Sequence, residues 1–107
     1  MTEYIQVFVT IDEKDIAEKI ASEVLEKRLA ACVQVIGPIT SRYWWEEKIE
    51  TSEEWLCLMK SRKALYQGLE KTVKSIHPYD VAEILAVPVA MGSQEYLAWL
   101  DKAVGSR

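Results

Sequence analysis

The 107-residue sequence predicts an α+β fold in which two helices cover one face of a four-stranded antiparallel sheet. Three observations carry that reading. Apolar residues switch between a period of two and a period of about 3.6, in the order strand, helix, strand, strand, helix, strand, helix. The two middle strands are joined by a connection too short for a crossover, which makes them antiparallel neighbours. No linker, repeat or low-complexity segment interrupts the series, so residues 1–107 read as a single domain.

The first element, "YIQVFVTI" (Tyr4–Ile11), is rich in β-branched and aromatic residues, with Gln6 and Thr10 on one face. The period then changes in "DEKDIAEKIASEVLEKRL". Ile16, Ala17, Ile20, Ala21, Val24 and Leu25 form an apolar stripe, and Glu18, Lys19, Glu23, Glu26 and Lys27 fill the opposite side. Asp12 is the expected N-cap. "AACVQVIGPITSRYWWEEKIE" reads as a long strand with a bulge or bend near Gly37-Pro38. A polar turn is expected at residues 50–52, followed by the strand "EEWLCLMKS". Helix two should run from about Lys63 to Ile76, with Leu65, Leu69, Val73 and Ile76 inward and Pro78 ending it. "AEILAVPVA" is the last strand, and "SQEYLAWLDKAV" closes as an amphipathic helix capped by Ser93. This order, β-α-β-β-α-β plus a final helix, is the ferredoxin-like arrangement.

Adjacent strand residues point to opposite faces, so Trp44 and Trp45 cannot both lie beneath the helices. One must face the side that a two-layer fold leaves open, where either a second subunit or the last helix with its Trp99 would cover it. Trp55 and Cys57 share one face of the next strand, with Leu56 and Leu58 on the other. A hairpin that is apolar on both faces favours association between subunits.

A formal charge of −4 provides no basic footprint, which argues against nucleic acid and anionic membrane surfaces as partners. No apolar run approaches the roughly 20 residues a membrane span needs. The start, "MTEYIQVFVT", lacks a basic region and does not read as a signal peptide. Cys32 and Cys57 lie in strand-like runs and form no CxxC pair, which fits reduced thiols in a cytoplasmic setting.

The chemistry centres on "KSIHPYDVAEI", which holds the only histidine, His77. Nucleophilic catalysis would need Cys32 or a serine with His77 as base and a third group, such as Asp80, to orient it. The four glycines form no phosphate-binding or nucleophile-elbow motif, so the chain reads as a protein without enzymatic activity or organic cofactor. One histidine and two scattered cysteines cannot close a structural zinc site. Imidazole, thiolate and carboxylate together suit copper, with His77, Cys32 and Glu83 as candidate ligands. The competing role for His77 is as a cap at the end of helix two. Glu83 is costly to bury unless paired, and Lys60 is an available partner.

The segments "RLAACVQV", "SRYWWEEKIE", "MKS" and "HPYDVAEILAVPV…YLAWL" together resemble the CutA divalent-cation-tolerance family over about residues 7–100. The most specific part is the His-Pro-Tyr-x-x-x-Glu run of His77, Pro78, Tyr79 and Glu83, joined by Leu29-Ala30-Ala31-Cys32 and by Tyr43 and Trp45. The resemblance implies a ferredoxin-like homotrimer, copper binding and a link to tolerance of divalent metal ions. It also implies an intersubunit cleft, for which Tyr43, Trp45, Lys60 and Tyr79 are the candidates. Trimeric likeness to PII signalling proteins implies a rival role, a signalling or scaffold module that takes a small molecule or protein in that cleft. Animal members are associated with acetylcholinesterase localisation. The sequence departs from the family's pattern at Glu47, where Gly is usual, and at Ala82, where Pro is usual. Val9 and Ile76 stand where bacterial relatives can carry a cysteine and a second histidine, which leaves His77 alone of that set.

Overall fold

A computed structural model describes residues 3–105. The elements are β1 (Tyr4–Ile11), α1 (Lys14–Glu26), β2 (Cys32–Trp45), β3 (Lys48–Arg62), α2 (Tyr66–Ile76), β4 (Ile84–Pro88) and α3 (Gln94–Ala103). The sheet order is β2-β3-β1-β4 with every neighbouring pair antiparallel, the ferredoxin-like topology that the element order predicts.

Strand register places the core. Ile5, Val7, Val9 and Ile11 of β1 stand opposite Ser61, Met59, Cys57 and Trp55 of β3. This face packs on Ala17, Ile20 and Val24 of α1 and on Leu69 and Val73 of α2. Each large aliphatic side chain buried there contributes about 1.5–3 kcal/mol. Gln6, Phe8 and Thr10 alternate onto the other face, level with Lys60, Leu58 and Leu56.

α1 begins one residue later than expected. Glu13, not Asp12, occupies the N-cap with extended backbone and no side-chain cap bond, and its carbonyl accepts the first helical hydrogen bond from Ala17 N–H at 3.1 Å. Asp12 directly follows the last β1 ladder residue, which puts it too early to reach the first turn. The helix closes as a Schellman motif: the Arg28 N–H donates to Leu25 O and the Leu29 N–H to Val24 O, with Arg28 at φ 56°. A short 3-10 turn, Lys63–Leu65, precedes α2, so the expected start at Lys63 marks that turn and not the α-helix. The last strand covers Ile84–Pro88 only, because its ladder with β1 runs from Ile84 to Pro88. Ser93 caps α3 as expected, its Oγ accepting from Tyr96 N–H at 3.1 Å.

The hairpin turn lies at Glu46-Glu47 rather than at residues 50–52. Both turn residues are left-handed, at φ 49° and 64°, the backbone of a two-residue primed turn whose twist matches the flanking strands. The polar run Glu50–Ser52 is strand, paired with Ser41–Tyr43. It looks like a turn because both faces of the ribbon are in solvent there.

β3 pairs with β1 only from Trp55 to Arg62; residues 48–54 pair with β2 alone. The β2–β3 ribbon therefore runs past the sheet as a two-stranded arm, and the chain measures 44 × 26 × 22 Å. At the arm's base, Gly37 and Pro38 form a register shift between Ile36 and Ile39. Trp55 packs straight onto Gly37: a Cβ there would come within 2.4 Å of the indole. The expectation that one of Trp44 and Trp45 lies under the helices is not met. They are 72% and 42% exposed, because the arm carries both beyond α1 and α2. α3 does not cover them either. It docks at the opposite end of the sheet, where Tyr4 Oη donates to Asp101 at 2.9 Å and Arg28 donates to Ala103 O at 2.6 Å.

Candidate functional site

α2 stops at Ile76 because the residue before a proline is pushed out of helical geometry. His77 is extended (φ −70°, ψ 128°), and its N–H closes the helix on Val73 O at 2.8 Å. Its imidazole does not return to the helix. It crosses to β1, where Nε2–H donates to Thr10 O at 2.6 Å, while Nδ1 accepts from the Tyr79 N–H at 3.3 Å. With Nδ1 accepting from the backbone, Nε2 is the nitrogen that carries the donated hydrogen. His77 is 7% exposed, and its ring meets the Tyr79 ring edge-on at 4.5 Å.

Tyr79 continues the connection to β3. Its Oη donates to Glu54 Oε2 at 3.0 Å. Burial first, and then the hydrogen bond to Glu54, push the phenol well above its ordinary range. Glu54 is only 4% exposed, and no other hydrogen bond or ion pair reaches it among the described residues. Thr10, His77, Tyr79 and Glu54 thus tie β1, the segment after α2 and β3 together.

A cavity of about 800 Å3 opens against this tie. The arm forms one wall with Tyr43, Trp44 and Trp45; Glu54 and Tyr79 form the floor; Asp80 and Glu83 stand at the rim. Tyr43 Oη shares a 3.3 Å hydrogen bond with Ser52 Oγ, and Thr10 Oγ1 donates to Glu83 Oε1 at 3.4 Å.

The predicted site residues divide into two groups. Tyr43, Trp45, Tyr79 and Glu83 share this cavity, with His77 behind it. Cys32 and Lys60 stand opposite each other in the β2–β3 register, level with Gln6, four residues along β1 from Thr10. At the usual strand rise this is about 13 Å along the sheet, besides the strand spacing. Lys60 does not pair with Glu83; its Nζ donates to Gln34 Oε1 at 2.6 Å. His77, Cys32 and Glu83 accordingly do not converge within one chain, and no group of three or more ligating side chains occurs among the described residues. Glu54 escaped the sequence reading, which placed Trp44 at a covered sheet face and Asp80 beside His77 rather than in this cavity. For Glu54 the available signal was a carboxylate in phase with Leu56 and Leu58 on an otherwise apolar strand.

Comparison with known proteins supplies the context for this geometry. The sequence profile of the CutA1 divalent ion tolerance protein family matches residues 5–103. The chain is 46% identical over 99 residues to the mouse Protein CutA, covering 92% of this chain and 56% of that one. It is 39% identical over 99 residues to the divalent-cation tolerance protein CutA of Thermus thermophilus, covering 92% and 96%. The chain spans about half the length of its curated animal and plant relatives such as those of mouse and rice. Among solved structures, CutA1 from Oryza sativa superposes with a TM-score of 0.94 at 37% identity, covering 99% of this chain and 97% of that one. The Thermus thermophilus Cut A1 structure gives 0.92 at 38% identity, covering 95% and 99%.

Proposed function

Since the chain belongs to the CutA1 divalent ion tolerance family, we propose that it serves divalent-cation tolerance as a homotrimer, with the cavity at the base of the arm as its ligand site. The observation that carries this reading is the exposed apolar surface around that acidic cavity. Trp44, Ile49 and Leu85 are 72%, 63% and 59% exposed, and a two-stranded arm is marginal without cover. Neighbouring subunits provide that cover, and the count of three follows the family resemblance. The protein works in the cytoplasm, in keeping with its two free cysteines.

Copper or another divalent ion is bound weakly. His77 can reach a metal only by releasing Thr10 O or the Tyr79 N–H, and Cys32 can join only from another subunit. A second reading, a signalling trimer holding a small molecule, draws support from the cavity volume of about 800 Å3, far more than one metal ion fills. Light scattering on dilute protein tests assembly; a folded monomer refutes it. Copper titration against a mild competing chelator, on the parent and on His77→Gln, separates the readings. Weak uptake lost in the variant supports metal binding through His77, and no uptake in either protein favours the small molecule.

A further inference from the structure

We propose that the cavity between the arm and residues 77–83 binds an organic ammonium ion, with its charge against Glu54 and Glu83 and its apolar body against Trp45 and Tyr43. The proposal rests on the second reading above, of this cavity as a small-molecule site, and it names the chemistry of that molecule.

Glu54 is the first observation. A buried carboxylate is costly unless a cation and several hydrogen bonds compensate it. Among the described residues of the chain this one has a single donor, the Tyr79 phenol, and no cation. The described ion pairs join Lys27 to Glu23, Arg62 to Glu3 and Asp101, and Lys74 to Glu70; none involves Glu54. A positive ligand supplies what the fold leaves out.

The remaining lining has the same sign. Glu83 and Asp80 add two rim carboxylates, and Arg42 is the only cationic residue among those that border the cavity. Arg42 is exposed on the arm and forms no ion pair with Glu54, Asp80 or Glu83 among the described residues. An anion would meet three carboxylates for one guanidinium.

The wall selects among cations. Tyr43 and Trp45 are 40% and 42% exposed beside these carboxylates. The faces of aromatic rings attract a cation and favour one that brings an apolar body with it. A small hydrated metal ion would leave the indoles unused, and a neutral aromatic molecule would leave Glu54 without its partner. An organic ammonium ion uses both, and about 800 Å3 is room for one of ordinary metabolite size.

The test compares three soluble probes of one shape, benzylammonium, benzyl alcohol and benzoate, titrated into the full chain while the tryptophan indole N–H resonances are followed by NMR. Benzylammonium should shift the arm indoles saturably and bind at least about tenfold tighter than benzyl alcohol, with benzoate weaker still. Glu54→Gln should abolish the preference for charge, and Glu83→Gln, a change at the exposed rim that leaves the floor intact, should reduce it. If benzoate or benzyl alcohol binds as tightly as benzylammonium, the cation assignment is overturned while the cavity remains a ligand site. If none of the three moves the indoles at saturating concentration, both readings fail. An unchanged preference in the folded Glu83→Gln and Glu54→Gln proteins also overturns the proposal.

Discussion

Tyr79 donates a 3.0 Å hydrogen bond to Glu54 Oε2, and this is the sole donor to that buried carboxylate among the described residues. Removing the phenolic oxygen while keeping the ring isolates the bond. Tyr79→Phe should lower unfolding stability by about 1–3 kcal/mol, the cost of a buried acceptor left without its donor. In the background of Glu54→Gln the same change should cost less, because the stranded charge is already gone. Urea melts of the four proteins measure the difference. Equal losses in both backgrounds would show that the two side chains are energetically independent.

Alkaline pH acts on the same fold through buried acids. The Cys57 thiol is pushed from its ordinary 9.0 up to about 11, first by burial and then by the Glu18 carboxylate. The unfolded chain therefore loses this proton at lower pH than the folded one. The resulting stabilisation is complete below pH 9.0, declines above it and is gone once pH passes about 11. Tyr79 is shifted in the same direction from its ordinary 10.0 and steepens the loss above that pH. Melting temperature followed across this range should fall more gently for Cys57→Ala than for the parent. Parallel curves would mean that the thiol stays protonated in both states.

The turn at Glu46-Glu47 places two side-chain-bearing residues in left-handed backbone. Glycine adopts that geometry without the clash between Cβ and carbonyl, which costs roughly 1–2 kcal/mol per residue. Part of this gain is offset by the greater freedom of glycine in the unfolded chain. Glu47→Gly should still raise stability, by about 0.5–1 kcal/mol, without altering cavity binding. A loss of stability would indicate that the Glu47 side chain makes a compensating contact.

The order of strands and helices was legible because it depends on local periodicity, and the amphipathic stripes of α1 and α2 are unbroken. The core residues of β1 followed from simple alternation. The hairpin turn was not legible. A primed turn is normally signalled by Gly or Asn, and here two glutamates take the left-handed positions while polar strand residues beyond them imitate a loop. The cavity was read in part. Tyr43, Trp45 and Tyr79, expected in a cleft, line one cavity together with Glu83, expected as a metal ligand, whereas Cys32 and Lys60 lie at the other end of the sheet. Their placement depends on the register among three strands, which no local pattern encodes. His77 carried a signal of chemistry in its rarity, yet its two nitrogens hold β1 to the Tyr79 backbone.

The register shift at Gly37-Pro38 divides the long ribbon into segments under different constraints. On the sheet side, Met59 and Cys57 are buried and Trp55 leans on Gly37, so an exchange at any of them disturbs many neighbours. On the far side, every residue from 42 to 50 is exposed, so substitutions there leave the hydrophobic interior intact. Residues of the arm that face the proposed ligand site can thus change without disturbing the core of the sheet that supports them. The lining of that site could diverge among close relatives while the interior packing of each chain stays the same.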